Sequence, residues 1–333
     1  MFTFNTHYKD IKMKPILKLY RGYANEQELI VMGHVFKPTS KEDYDFQKKN
    51  FKNATSIIGM FRLATLPNYE VTLHINNQKI TTKTLNDGFF KFCIPHIEPT
   101  KSGWIDYKVT IDFDGKEISE ISSFIKPHAG NFGFISDIDD TFLVSHTKNP
   151  LKKIYILLFK NVHNRKVFQN VVPHYLALST AGKNNKSEQN PFFYVSSSEW
   201  NLYRFITQFS EIHDLPRAVL LLKDIKTSLT DLFFSGRGNH NHKFEKIKHI
   251  LEFYPNLQYT LLGDDSQHDP FLYENICKIF PLNVKAVYIR QTGKYKKNKA
   301  GIALQNIESL QVAVCYFKDS SEAIAHSKLI GLI

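Results

Sequence analysis

Cysteine is scarce: Cys93, Cys277 and Cys315 are the only three in 333 residues. An odd count at such wide separations excludes a disulfide framework and a zinc knuckle, and predicts buried free thiols. Long apolar runs are also missing. No run is longer than the six residues at 154–159, against the ~20 that a membrane-crossing helix needs, so no transmembrane segment is expected. The first residues show no basic head followed by an apolar core and a small-residue cleavage site, so no secretion leader is read and the cytoplasm is the expected compartment. No internal repeat occurs. Acids are absent from residues 142–187, whereas Lys148, Lys152, Lys153, Lys160, Arg165, Lys166, Lys183 and Lys186 all fall there.

What remains is ordinary globular composition, 42% hydrophobic and 23% charged, in a chain long enough for two domains with sizeable cores. A formal net charge of +11 predicts attraction to polyanions, whether nucleic acid, anionic lipid or phosphorylated substrates. The acid-free stretch gathers part of that charge into one cationic surface.

Residues 1–126 read as all-β. Apolar side chains alternate over 71–75 and 107–113, the period of half-buried strands. Asn76-Asn77, Asp87-Gly88 and Asp114-Gly115 supply short turns between such runs. With the apolar runs at 29–32 and 89–92, about seven short strands and a β-sandwich are expected. Residues 37–52 read as a loop, with a short helix at 44–52 as the alternative. No catalytic constellation occurs in this half.

A boundary falls at residues 127–130. Beyond it, over 127–333, strands alternate with helical patterns, the mark of a parallel α/β sheet. Helices are expected at 150–161, 172–178, 200–213, 243–254 and 323–329, and strands at 192–195, 218–222, 259–262, 284–289 and 311–316. Ser196, followed three residues later by Glu199, reads as a capping box opening the helix at 200. The first strand, around Phe132, Phe134 and Ile135, ends in Asp-x-Asp-x-Thr at 137–141. Ligands of open parallel sheets bind beyond the carboxyl ends of the strands, so Asp137 and Asp139 face that crevice. Two carboxylates so close repel unless a cation lies between them, and a hard divalent ion such as Mg2+ suits oxygen ligands.

Successive elements carry, in order, Asp-x-Asp-x-Thr, Ser196, Lys243 at the head of a helix, and Gly263-Asp264 with Asp269 five residues later. That set and order resembles the haloacid-dehalogenase-like phosphohydrolases. The resemblance implies that Asp137 attacks phosphorus to form an aspartyl-phosphate. It implies that Asp139 protonates the leaving alkoxide and then takes a proton from water. Ser196 would hydrogen-bond a phosphoryl oxygen, with Thr141 and Ser197 beside it, and Lys243 would neutralise nucleophile and phosphate. Asp264 and Asp269 would complete a Mg2+ site with Asp137 and the Asp139 carbonyl. Arg237, between two glycines in the 223–241 loop, is a further candidate phosphate contact.

A closer resemblance rests on longer stretches between 133 and 290. These are Phe-Ile-Ser-Asp-Ile-Asp-Asp-Thr at 134–141, Asn-Pro-Phe-Phe-Tyr-Val-Ser-Ser-Ser-Glu-Trp-Asn-Leu-Tyr at 190–203, His242-Lys243 with Ile250, Leu251, Tyr254 and Pro255, and Leu-Gly-Asp-Asp-Ser-Gln-His-Asp-Pro at 262–270. Together they are similar to the actin-patch-type phosphatidate phosphatase family, which implies Mg2+-dependent conversion of phosphatidate to diacylglycerol and phosphate. Two positions depart from the pattern: Glu199 stands where Pro is expected, and Asp265-Ser266 where Ser-Gly is expected. Residues 146–189 then correspond to a small helical cap, a basic insertion suited to resting peripherally on an anionic membrane.

Three other readings stand beside this one. His240, His242, Asp264, His268 and Asp269 are a possible zinc or iron set. A non-catalytic basic module binding lipid or nucleic acid is another, but no aromatics interleave on a basic strand face, so nucleic acid is not an expected partner. The third keeps the mechanism and replaces the lipid with a soluble phosphomonoester.

Overall fold

A computed structural model describes residues 14–39, 63–95, 101–128, 130, 132–138, 168, 170–185, 188–223, 241–265, 268–292 and 297–333. The N-terminal half contributes β1 (Lys14–Ala24), β2 (Glu28–Thr39), β3 (Glu70–Ile75), β4 (Gln78–Lys83), β5 (Phe89–Pro95), β6 (Gly103–Phe113) and β7 (Lys116–Lys126). They hydrogen-bond in the order β4-β3-β6-β7-β1-β2-β5, antiparallel except where β1 meets β7. The expected sandwich is thus one continuous sheet that curls until its edge strands β4 and β5 touch. Val31, Val35, Leu73, Phe90, Val109 and Phe124 fill its interior. The expected hairpin turns form where asparagine, aspartate and glycine tolerate left-handed backbone: φ is 47° and 61° at Asn76 and Asn77, and 52° and 71° at Asp114 and Gly115.

The C-terminal half follows the alternating pattern. Its elements are β8 (Phe132–Ser136), α1 (Val171–Ser179), β9 (Phe192–Glu199), α2 (Tyr203–Ile212), β10 (Val219–Lys223), α3 (Asn241–Phe253), β11 (Gln258–Asp264), α4 (Asp269–Ile279), β12 (Val284–Arg290), α5 (Lys297–Ser309), β13 (Ala313–Phe317) and α6 (Ser320–Leu329). The strands form one parallel sheet in the order β10-β9-β8-β11-β12-β13. Chain order runs outward from β8 through β9 and β10, then resumes on its other side with β11. The switch point, where ligands bind in such sheets, therefore lies between the carboxyl ends of β8 and β11.

Several expectations are corrected. Helices α4 and α5 were not anticipated. β9 runs on to Glu199, so Ser196 sits inside a strand and caps nothing; its Oγ accepts the Ser198 N–H at 2.9 Å instead. A 3-10 turn, Trp200–Leu202, precedes α2, and Glu199 at its start makes no side-chain cap bond. The serine–glutamate spacing that suggests a capping box is here a coincidence of strand register. Cys277 and Cys315 are buried, their thiols pushed up to about 12 by desolvation, but Cys93 is exposed. The helices expected at 44–52 and 150–161 lie outside the described residues, as does much of 146–189. The described part of that stretch includes α1, whose Tyr175 and Leu178 are buried in the α/β core.

The two halves share a packed seam. Tyr20 stacks on Trp200 with ring centroids 4.1 Å apart, and Tyr23, Ile30, Met32 and Ile125 belong to the same apolar cluster as Phe134 and Phe193. The Arg21 N–H donates to Tyr203 Oη at 2.8 Å, and Tyr254 Oη donates to the Ala24 carbonyl at 3.0 Å. Among the described residues no helix is long and apolar enough to cross a membrane.

Candidate active site

Four elements deliver one charged cluster to the switch point. β8 is apolar up to Ser136, and the next residue, Asp137, continues its ladder by donating its N–H to the Leu262 carbonyl at 2.9 Å. β11 ends in Asp264. Four residues separate it from Asp269, which opens α4 with Pro270 behind it in the first turn, a position where the missing N–H costs nothing. The Asp264 N–H reaches Asp269 Oδ2 at 3.4 Å. Gly263 makes this fold-back feasible, because a Cβ there would stand 2.7 Å from Asp269 Oδ2 and 2.9 Å from the Tyr273 ring. Lys243 comes from the first turn of α3.

Asp137, Asp264 and Asp269 are all buried, and each offers an oxygen within 4.8 Å of the others. Lys243 Nζ lies 3.0 Å from Asp137 Oδ1 and 3.1 Å from Asp269 Oδ1. Burial alone would lower the ammonium's pKa, but the two carboxylates override it and hold the pKa above the ordinary lysine value. Arg290, which ends β12 opposite Asp264 in the ladder, is a second buried cation. Its guanidinium donates to Ser320 Oγ at 2.6 Å and to the Lys318 carbonyl at 3.1 Å, and lies 4.3 Å from the Phe168 ring centroid.

Asp265 is buried as well, yet it turns to other partners. Its Oδ1 accepts from the N–H and hydroxyl of Thr292 at 2.8 and 2.6 Å, and its Oδ2 from Tyr316 at 2.8 Å. The departure from the family pattern at this position thus has a local hydrogen-bonding outlet. Among the described residues the cluster itself sets three buried carboxylates against the one ammonium of Lys243, an excess of negative charge that one divalent ion would offset. An all-oxygen donor set suits a hard cation such as Mg2+ or Mn2+ better than zinc or iron. Of the histidines proposed for a zinc or iron set, His242 and His268 are described and neither joins the three-acid cluster; His240 lies outside the described residues.

Ser196 is fully buried at the carboxyl end of β9, and Ser197 beside it is exposed. Both stand at the end of the sheet where Asp137 and Asp264 lie. Asp139, Thr141 and Arg237 fall outside the described residues. Arg290, Tyr175 and Tyr273, all close to the cluster, were missed. Nothing local in their sequence marks them, since each acts through partners far away along the chain.

The fold and cluster define a class: a parallel α/β domain with a buried acid–lysine centre, suited to a hard cation, at its switch point. Comparison with known proteins narrows it. Residues 132–291, just under half of the chain, match the family model described as phosphatidate phosphatase APP1, catalytic domain. Phosphatidate phosphatase APP1 of Saccharomyces cerevisiae is 25% identical over 169 residues, covering 51% of this chain and 27% of the yeast protein. The chain thus spans about a quarter of that relative's length. Among solved structures, a carbohydrate acetylesterase from Xanthomonas citri matches 95% of this chain and 74% of its own at 9% identity and a TM-score of 0.34. The twitchin kinase region of C. elegans matches 34% of this chain and 16% of its own at 16% identity and a TM-score of 0.21. Neither likeness is close enough to bear on the fold.

Proposed function

We propose that this protein is a Mg2+-dependent phosphatidate phosphatase whose α/β domain, residues 127–333, is of haloacid-dehalogenase type and follows a β domain over 1–126. The observation that carries the reading is the Lys243 ammonium held between Asp137 and Asp269 inside a buried three-acid cluster at the switch point. In the first displacement an Asp137 oxygen bonds to phosphorus, the ester P–O bond breaks, and Asp139 gives its proton to the departing alkoxide of diacylglycerol. In the second, water attacks phosphorus, Asp139 takes the water's proton, and the aspartyl P–O bond breaks to release phosphate. Lys243 pairs with Asp137 before attack and offsets charge on the phosphoryl oxygens during it. Ser196, Ser197, Thr141 and Arg237 bind those oxygens. Asp137, Asp264, Asp269 and the Asp139 carbonyl would hold Mg2+, which supplies positive charge to the transferring group.

A lipid substrate fits the family model that residues 132–291 match and the acid-free basic stretch at 142–187, a peripheral contact for an anionic, cytoplasm-facing membrane surface. Phosphate release from phosphatidate in mixed micelles and from soluble phosphomonoesters, each with Mg2+ and with EDTA, tests the reading. Release from phosphatidate that Mg2+ supports and EDTA abolishes is expected. Release from soluble esters alone would replace the substrate and keep the mechanism; release from neither would overturn the proposal.

A further inference from the structure

We infer that Ser136 and Tyr175 are positioning residues for the nucleophile, holding the Asp137 backbone through a buried chain of hydroxyls. This rests on the reading of Asp137 given above. Ser136 is the last residue of β8, and beyond it the ladder continues through the Asp137 N–H. Its hydroxyl donates to the Asp137 carbonyl at 2.6 Å. A hydroxyl has one hydrogen to give, so the 2.8 Å contact between Ser136 Oγ and Tyr175 Oη runs the other way, with Tyr175 donating. Burial pushes the Tyr175 hydroxyl well above its usual pKa and keeps it a donor.

The Asp137 N–H is anchored separately. It donates to the Leu262 carbonyl at 2.9 Å, which also accepts Tyr273 Oη at 2.9 Å. Both backbone groups of Asp137 therefore lead to a buried tyrosine hydroxyl, the carbonyl through Ser136 and the N–H through Leu262. Packing does not demand this. Phe134 and Ile135, the preceding β8 residues, are wholly buried and apolar, and phenylalanine at 175 would fill the same space. Burying hydroxyls is unfavourable unless each is hydrogen-bonded, and here the chain from Tyr175 through Ser136 ends on the residue that must aim an oxygen at phosphorus. An error of about 1 Å in such aim costs about 100-fold in rate. α1, which carries Tyr175, lies within the acid-free stretch 142–187, so that stretch supplies a buried prop as well as cationic charge.

The test uses the full chain carrying Ser136→Ala, Tyr175→Phe or both. Each single variant should lower kcat about 10- to 100-fold with KM held within about twofold. The double should be no worse than the poorer single, because both interrupt one chain. Amide hydrogen exchange should rise in the peptide covering 133–138 and stay unchanged in β12. Tyr175→Phe removes one oxygen and keeps the packing, so it carries the test if Ser136→Ala does not fold. Unchanged kcat in both variants, losses that multiply in the double, or exchange that rises across the whole sheet would overturn the inference. If the wild-type chain releases no phosphate from any ester, the proposed function fails. Exchange alone then decides: a local rise supports the hydroxyl chain and no change refutes it.

Discussion

Lys243 and Asp137 form an ion pair 3.0 Å long from which water is nearly excluded, their side chains 6% and 2% exposed. The same ammonium reaches Asp269, so one cation on α3 ties the end of β8 to the start of α4. Lys243→Met should lower phosphate release about 100- to 1,000-fold, the scale of removing one preorganised charge from a phosphoryl site. It should also cost about 3–5 kcal/mol of stability by leaving buried carboxylates unpaired. Steady-state phosphate release and chemical unfolding of the purified variant measure the two effects.

Metal binding should be visible without any substrate. Mg2+ at about 100 times its Kd should stabilise the chain by about 2.7 kcal/mol through mass action, read as a rise in thermal midpoint. Asp264→Asn or Asp269→Asn should abolish the rise. Asp265→Asn should keep it, because Thr292 and Tyr316 already engage both Asp265 oxygens.

Acid should destabilise the fold through two buried histidines. Burial lowers His34 to about 3 and His174 to about 4. Unfolding releases each to about 6.5, so between these values the unfolded chain binds the extra proton. The stability from keeping each ring neutral is complete above about pH 6.5 and is lost as pH falls toward 4 and then 3, at up to about 1.4 kcal/mol per pH unit for each histidine. His174 is hydrogen-bonded to Ser327 Oγ at 2.9 Å and His34 to Tyr20 Oη at 2.8 Å. Thermal midpoints should drop between pH 7 and pH 5, less steeply in His34→Gln and His174→Gln; a midpoint flat over that range contradicts the assignment.

The seam makes the two halves one folding unit. Trp200→Ala removes the ring that stacks on Tyr20 and should cost about 3–5 kcal/mol. Calorimetry of the wild-type chain should show one transition, because Tyr20 and Ile125 share a core with Phe134. Two well-separated transitions would show that the halves fold independently.

Local chemistry explains what the sequence revealed. The alternation at 71–75, the Asp114-Gly115 turn and the apolar approach to Asp137 are properties of neighbouring residues, and each is formed in the structure. Asp264, Asp269 and Lys243 were also legible, since each marks the end or start of an element, although α4 behind Asp269 was not foreseen despite its Asp-Pro opening. What failed depended on distant partners. The Ser196–Glu199 spacing suits a cap or a strand equally, and only pairing of β9 with β10 through Glu199 and Lys223 decides for the strand. Closure of the β sheet is set by contact between β4 and β5, which no turn encodes. The hydroxyls of Tyr175 and Tyr273 meet partners 39 and 11 residues away, beyond the reach of any periodicity.

Covalent capture is the most direct measurement of the central claim. Acid-quenching the Mg2+-loaded enzyme during turnover of phosphatidate labelled in its phosphate, then mapping the labelled peptide, should place one acid-stable, base-labile phosphoryl group on Asp137. Asp137→Asn should carry no label and release phosphate at least about 1,000-fold more slowly. Full turnover by Asp137→Asn, or label on a different side chain, would contradict the account.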